Sequence, residues 1–109
     1  MNTLGVVAEN FALSYLRGQG LQLIERNFSC KLGEIDLIMQ AGEVLVFVEV
    51  RQRKNANFGT AAASITPKKQ HKLTLTAQVY LSRYPKIPAC RFDALVITGK
   101  EVEWLKNII

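Results

Sequence analysis

The stretch GEIDLIMQAGEVLVFVEVRQRK, residues 33–54, carries the strongest structural signal in the chain. Residues 33–40 (GEIDLIMQ) and 43–51 (EVLVFVEVR) are rich in aliphatic and β-branched residues over a strand's length, and Ala41-Gly42 between them reads as a hairpin turn. Glu34, Asp36 and Glu49 are set into this apolar pair, and Arg51, Arg53 and Lys54 follow directly. Burying a carboxylate is costly unless something pairs it, so each acid needs either a cation or a task.

Side chains alternate along a strand, so Glu34, Asp36 and Ile38 are expected on one face, and Leu45, Phe47, Glu49 and Arg51 on one face of the next strand. A turn at Ala41-Gly42 sets Glu34 opposite Glu49 with Asp36 on the diagonal. A turn at Gly42-Glu43 sets Asp36 directly opposite Glu49. Either register brings Asp36 and Glu49 to one side, within roughly 5–8 Å; registers of the other parity separate them. Two carboxylates that close repel each other unless a cation intervenes. Arg51 is one candidate for that cation and a divalent metal is the other. One or two carboxylates, with waters and a substrate phosphate in the remaining positions, describe a Mg²⁺ or Mn²⁺ site.

Outward from this hairpin the pattern is alternately helical and extended. Residues 3–17 repeat Leu4, Ala8, Phe11, Ala12, Tyr15 and Leu16 at helical spacing, with Glu9 beside the stripe, and Gly18 and Gly20 end the pattern. Residues 21–28 form a weaker strand signal, and residues 55–65 read as a loop. Thr66 then offers an N-cap and Pro67 a first helical residue. That helix runs to about Tyr84, with Leu73, Ala77, Tyr80 and Leu81 on its core face, and Pro85 and Pro88 stop it. Residues 91–98 are a further strand and Gly99-Lys100 a turn. Residues 102–109 are a short strand or amphipathic end anchored by Trp104. The expected order is α-β-β-β-α-β, an α/β domain with helices flanking a mixed sheet.

At 109 residues the chain is expected to form one domain, 1–109. Cys30 and Cys90 lie far apart with no CxxC spacing and read as free thiols, while His71 is the only histidine and has no evident nucleophile beside it. No apolar run approaches the roughly 20 residues of a membrane span, and the N-terminus lacks a secretory pattern, so the expected location is cytoplasmic. The net charge is +5 and unevenly placed. Residues 51–72 hold six basic residues (Arg51, Arg53, Lys54, Lys68, Lys69, Lys72) and no acid, whereas the remainder holds eight basic against nine acidic residues. Clustering of this kind is what a polyanion such as nucleic acid demands.

Glu9 on a helix, Asp36 in GEIDLI and Glu49-Val50-Arg51 at a strand end together resemble the PD-(D/E)XK nuclease signature. GEIDLI, VFVEVR, Phe58-Gly59, TPKKQ and RFD, in that order, resemble the YraN-like family of small uncharacterised bacterial proteins within that superfamily. The resemblance covers about Gly5 to Asn107. It implies a restriction-endonuclease-like core and, from the wider superfamily, Mg²⁺- or Mn²⁺-dependent phosphodiester hydrolysis. By the same resemblance Asp36, Glu49 and the backbone carbonyl of Val50 are metal ligands, and Glu9 completes the acidic cluster or holds a metal-bound water. Gln70, on the first turn of the second helix, either joins the site or caps the helix.

One position departs from that signature. Where it has lysine this chain has Arg51, which is always protonated and cannot act as a general base. Arg51 can still hold a scissile phosphate or stabilise transition-state charge, leaving activation of the water to the cation. Two functions therefore remain open: an endonuclease acting on DNA, with branched or damaged DNA among its candidate substrates, and a non-catalytic nucleic-acid-binding module. Arg51, Arg53, Lys54, Lys68, Lys69 and Lys72 are the expected nucleic-acid contacts in both. So small a domain covers little of a duplex, which is compatible with a homodimer or an accessory protein partner. Glu34 is expected to pair with a basic residue, Asp93 to be structural, and Phe58 to touch a nucleotide or anchor its loop.

Overall fold

The chain forms α1 (Thr3–Gly18), β1 (Gln22–Cys30), β2 (Gly33–Ala41), β3 (Val44–Arg53), α2 (Pro67–Leu81), β4 (Cys90–Thr98) and β5 (Glu101–Leu105), with one 3-10 turn at Ala62–Ser64. The computed structural model describes residues 3–57 and 59–109, with side chains from residue 5, so the expectations for Leu4 and Phe58 lie outside the described residues. The order expected from sequence is present, and residues 102–109 divide into a fifth strand and a tail.

The strands lie in the order β1-β2-β3-β4-β5, every neighbouring pair antiparallel except β3 and β4. Parallel neighbours cannot be joined by a tight turn, and residues 54–89 make the crossover through α2. The middle strand explains the layering. β3 begins with the continuous apolar run VLVFV, and Leu45–Val48 are buried on both faces. Val46 and Val48 pack with Ala12, Leu13 and Leu16 of α1, whereas Leu45 and Phe47 pack with Leu73, Ala77 and Tyr80 of α2. The result is an α/β architecture, helix against sheet against helix, consistent with a restriction-endonuclease-like core. No helix among the described residues is long and apolar enough to cross a membrane.

The structure chooses between the two turns considered and differs from the sequence expectation in two further details. The hairpin register pairs Ala41 with Val44 and Leu37 with Val48, so the turn is Gly42-Glu43. On α1, Phe11 is 47% exposed and Leu13 takes the inward place; the apolar stripe is rotated toward Leu13, and Phe11 stacks on Tyr15 at its edge. α2 starts as expected, with Thr66 Oγ1 accepting the Lys69 N–H at 3.2 Å. It ends at Leu81, and the Tyr84 N–H bonds Leu81 O at 3.0 Å in a tighter turn, as the residues ahead of Pro85 leave the helical region. Cys30 is half-buried, Cys90 exposed, and both are free.

The tail is tied down by one fully buried carboxylate. Asp93 accepts from Arg91 Nε at 3.1 Å, Trp104 Nε1 at 2.9 Å and the Asn107 N–H at 3.1 Å, so β4, β5 and the tail meet on it. This is the structural role that RFD suggested. Asp93→Ala strands these donors and should lower stability by roughly 3 kcal/mol, read from urea unfolding. An unchanged midpoint would show that the hub contributes nothing.

Candidate functional site

β2 and β3 are paired only between Leu37–Val48 and Ala41–Val44. One further step would set Asp36 against Glu49, and there the ladder stops. Within β2, Ile35 and Ile38 both pack beneath α2, while Leu37 and Met39 pack beneath α1. Residues three apart on a regular strand face opposite sides, so the alternation breaks at Asp36. β1 breaks at the same level: Asn27, which faces Asp36 between the pairs Arg26–Leu37 and Phe28–Ile35, has a φ of 54°. Asparagine is among the few residues that tolerate this region. The common face expected for Glu34, Asp36 and Ile38 is therefore interrupted at Asp36 itself.

The Asp36 carboxylate stands in for the strand that has left. Its Oδ2 accepts the Val50 N–H at 2.8 Å. The N–H and C=O of one extended residue point to the same strand edge, so the Val50 carbonyl faces the same gap. Burial, then the neighbouring Glu49, push Asp36 from 3.8 up to about 7, opposed by the Val50 hydrogen bond and assisted by Glu9 and Glu34. Burial also raises Glu49; Lys69 on α2 is the strongest opposing influence, Glu34 adds to the rise, and Arg51 opposes it least. The ion pairs among the described residues are Arg26–Glu9 at 3.6 Å, Arg83–Glu25 at 3.3 Å and Arg91–Asp93 at 3.1 Å. None of them neutralises Asp36 or Glu49.

Two cavities open at this break, one on each side of the sheet. On the α1 side a space of about 500 Å³ is bordered by Glu9, Val50, Gln52, Arg53 and Lys54. On the α2 side a space of about 270 Å³ is bordered by Gly33, Glu34, Glu49, Lys69, Lys72 and Leu73. The second depends on a close approach. A Cβ on Gly33 would lie 2.9 Å from Thr76 Oγ1, so only glycine lets β2 run this near to α2.

The structure sorts the residues that sequence singled out. Asp36, Glu49 and Val50 meet at the break. Glu9 raises the Asp36 pKa from the α1 side but is held by Arg26, a partner that sequence reading missed. The only basic residue in the strand-like segment 21–28 was the available signal for it. Arg51 makes no ion pair with Glu49, and its Nε is buried without a hydrogen-bond partner. Arg53 is committed, donating from Nε to Thr98 Oγ1 and from a terminal nitrogen to Gly59 O, each at 2.8 Å, so it binds the loop to the sheet. Gln70 Nε2 donates to Ile65 O at 3.1 Å and fastens the start of α2. Lys54, Lys68 and Lys72 are exposed, whereas Lys69 is half-buried. Glu34 shares a cavity with Lys69 and Lys72 but is ion-paired to neither.

The model of the family described as "Uncharacterised protein family UPF0102" matches residues 8–97. The chain belongs to the UPF0102 family. Its relatives include a UPF0102 protein of Herminiimonas arsenicoxydans, 58% identical over 97% of this chain and 86% of the relative. A second, from a Janthinobacterium strain, is 58% identical over 96% of this chain and 85% of its own length. A third, from Nitrosomonas eutropha, is 55% identical over 94% of this chain and 90% of its own. The YraN-like resemblance read from GEIDLI, VFVEVR, Phe58-Gly59, TPKKQ and RFD is borne out, and all five motifs fall inside the matched residues. These names carry family membership and no activity.

The raised Asp36 pKa has a direct consequence for the metal-free UPF0102 domain. Folded Asp36 keeps its proton up to about pH 7, whereas the ordinary carboxyl loses it near 3.8. Between those values the folded state binds more protons, so the Asp36 contribution to stability is complete below about pH 4 and lost as pH rises toward 7. At about 1.4 kcal/mol per pH unit this amounts to roughly 4 kcal/mol. Asp36→Asn should flatten the slope, with Glu49 leaving a residue of it, and should unfold later than wild type at pH 8. Urea unfolding in EDTA across pH 4–8 checks this; parallel curves for the two proteins would refute the shift.

Proposed function

We propose that the protein is a divalent-metal-dependent phosphodiesterase acting on nucleic acid, most simply a DNA endonuclease of the cytoplasm. The observation that carries this reading is the convergence of Asp36 and Glu49 on a strand break where, among the described residues, neither forms an ion pair. Both carboxylates carry raised pKa values because of burial, and Asp36 also because of Glu49, so cation binding would relieve a repulsion already present.

The donor set fits Mg²⁺ or Mn²⁺. Among the described residues no three His, Cys, Asp or Glu side chains converge into a cage of their own. Asp36, Glu49 and the Val50 carbonyl are the protein groups that would hold the ion, and Mg²⁺ usually retains waters and takes substrate phosphates as well. When bound, such an ion lowers the pKa of water and neutralises charge on phosphate. The chain's own residues supply the rest. Arg51, permanently charged on the same strand face as Glu49, holds a phosphate oxygen. Lys68 and Lys72 add positive charge at the α2 N-terminus, where the helix dipole favours anions. Gln70 and Arg53 hold that surface in place through Ile65 and Gly59 rather than reaching the substrate.

A second reading, a nucleic-acid-binding module without turnover, is favoured by one feature: arginine rather than lysine at position 51. The two differ in metal dependence. Asp36→Asn and Glu49→Gln should each remove Mn²⁺ binding in calorimetry and abolish cleavage of duplex, single-stranded and branched DNA, with folding intact. Wild type that neither binds Mn²⁺ nor cuts any of these substrates would end the nuclease reading.

Binding itself should follow the exposed lysines. Replacing Lys68 and Lys72 with Gln should weaken affinity for all sequences and flatten log K against log[salt] by about one and a half to two units, at roughly 0.7–0.9 per phosphate contact. An unaltered slope in fluorescence anisotropy would make this cluster a solvated face.

A further inference from the structure

We propose that Lys69 supplies the ammonium group that acts beside Glu49 during hydrolysis, from α2 rather than from β3. The proposal rests on the nuclease reading above and assigns a residue within it. Lys69 and Glu49 border the same space of about 270 Å³ on the α2 face of the sheet. Lys69 is half-buried, while Lys68 and Lys72 on the same turn are exposed. Among the described residues no carboxylate holds its ammonium within ion-pair distance. Its influence on Glu49 nonetheless exceeds that of Arg51, which shares a strand with Glu49.

Rigid contacts set its place. The Lys69 N–H is bonded to the Thr66 side chain, Gln70 is tied to Ile65 O, and α2 lies close over Gly33. The arrangement suits a compact cation better than a planar one. An ammonium is a point charge with three donors that can reach both a phosphate oxygen and a water, whereas Arg51 presents a fixed fork.

In hydrolysis the water oxygen bonds to phosphorus and the bond from phosphorus to the leaving oxygen breaks. One water proton ends on the leaving oxygen, giving a hydroxyl, and the other stays on the new phosphate monoester or passes to solvent. The Lys69 ammonium donates to a non-bridging oxygen whose charge grows in the transition state.

The test compares Mn²⁺-dependent cleavage with DNA affinity measured in Ca²⁺, for wild type, Lys69→Met, Lys69→Gln, Arg51→Lys and the double variant Lys69→Met/Arg51→Lys. Lys69→Met should cut turnover by about 100-fold or more, while affinity falls by less than about tenfold, as for one phosphate contact. Arg51→Lys should restore at least about tenfold of the loss in the double variant, because it returns an ammonium to the same strand face. Lys69→Gln, which keeps length and polarity, should lose turnover likewise and serves if the methionine variant melts early. Turnover of Lys69→Met or Lys69→Gln near that of an active wild type would overturn this assignment and leave the nuclease reading standing. So would a loss matched by affinity, or a double variant no better than Lys69→Met. A wild type inert on every substrate would end both.

Discussion

The hydrogen bond from the Val50 N–H to Asp36, 2.8 Å long, holds the place where β2 parts from β3, and the rest of the site depends on that parting. A strand leaving its neighbour strands backbone donors in a half-buried setting, which is costly unless another acceptor takes over. Asp36 is that acceptor. Using a carboxylate for the task brings a charge to the centre of the sheet, next to Glu49, and burial resists the charge. The left-handed Asn27 on β1 and the reversed alternation around Asp36 are the backbone adjustments that accompany it.

Asp93 makes an instructive contrast. It is the more deeply buried carboxylate, yet Arg91, Trp104 and the Asn107 backbone all donate to it. Its acceptor capacity is spent on joining β4, β5 and the tail. Asp36 has a single backbone donor and acidic neighbours, so capacity remains for a cation. Two aspartates in apolar strands thus differ in how much of their acceptor capacity is spent, as the donors around each decide. The basic residues divide in the same way: Arg53 fastens a loop, Arg26 compensates Glu9, and Lys68 and Lys72 stay free at the surface.

Membership in the UPF0102 family agrees with the order of elements and with the motifs, and it leaves chemistry to be argued from the site. The space on the α2 side of the break is bordered by both signs of charge, Glu34 and Glu49 from the sheet and Lys69 and Lys72 from α2.

The sequence by itself determined the elements, because each is written in local pattern: the apolar run of β3, the Thr66-Pro67 start of α2, and the spacing of Leu73, Ala77, Tyr80 and Leu81. It also favoured an approach of Asp36 and Glu49, since both turns considered preserve that parity, while registers of the other parity would have separated them. Tertiary structure alone decided that the turn is Gly42-Glu43, that the alternation fails at Asp36, and that Phe11 stays outside while Leu13 turns in. It alone decided that Lys69 rather than Arg51 exerts the stronger pull on Glu49. The reason is physical. Periodicity records which face of an element is apolar, whereas the charge acting on Glu49 is set by how α2 docks over Gly33, and no local pattern encodes that approach.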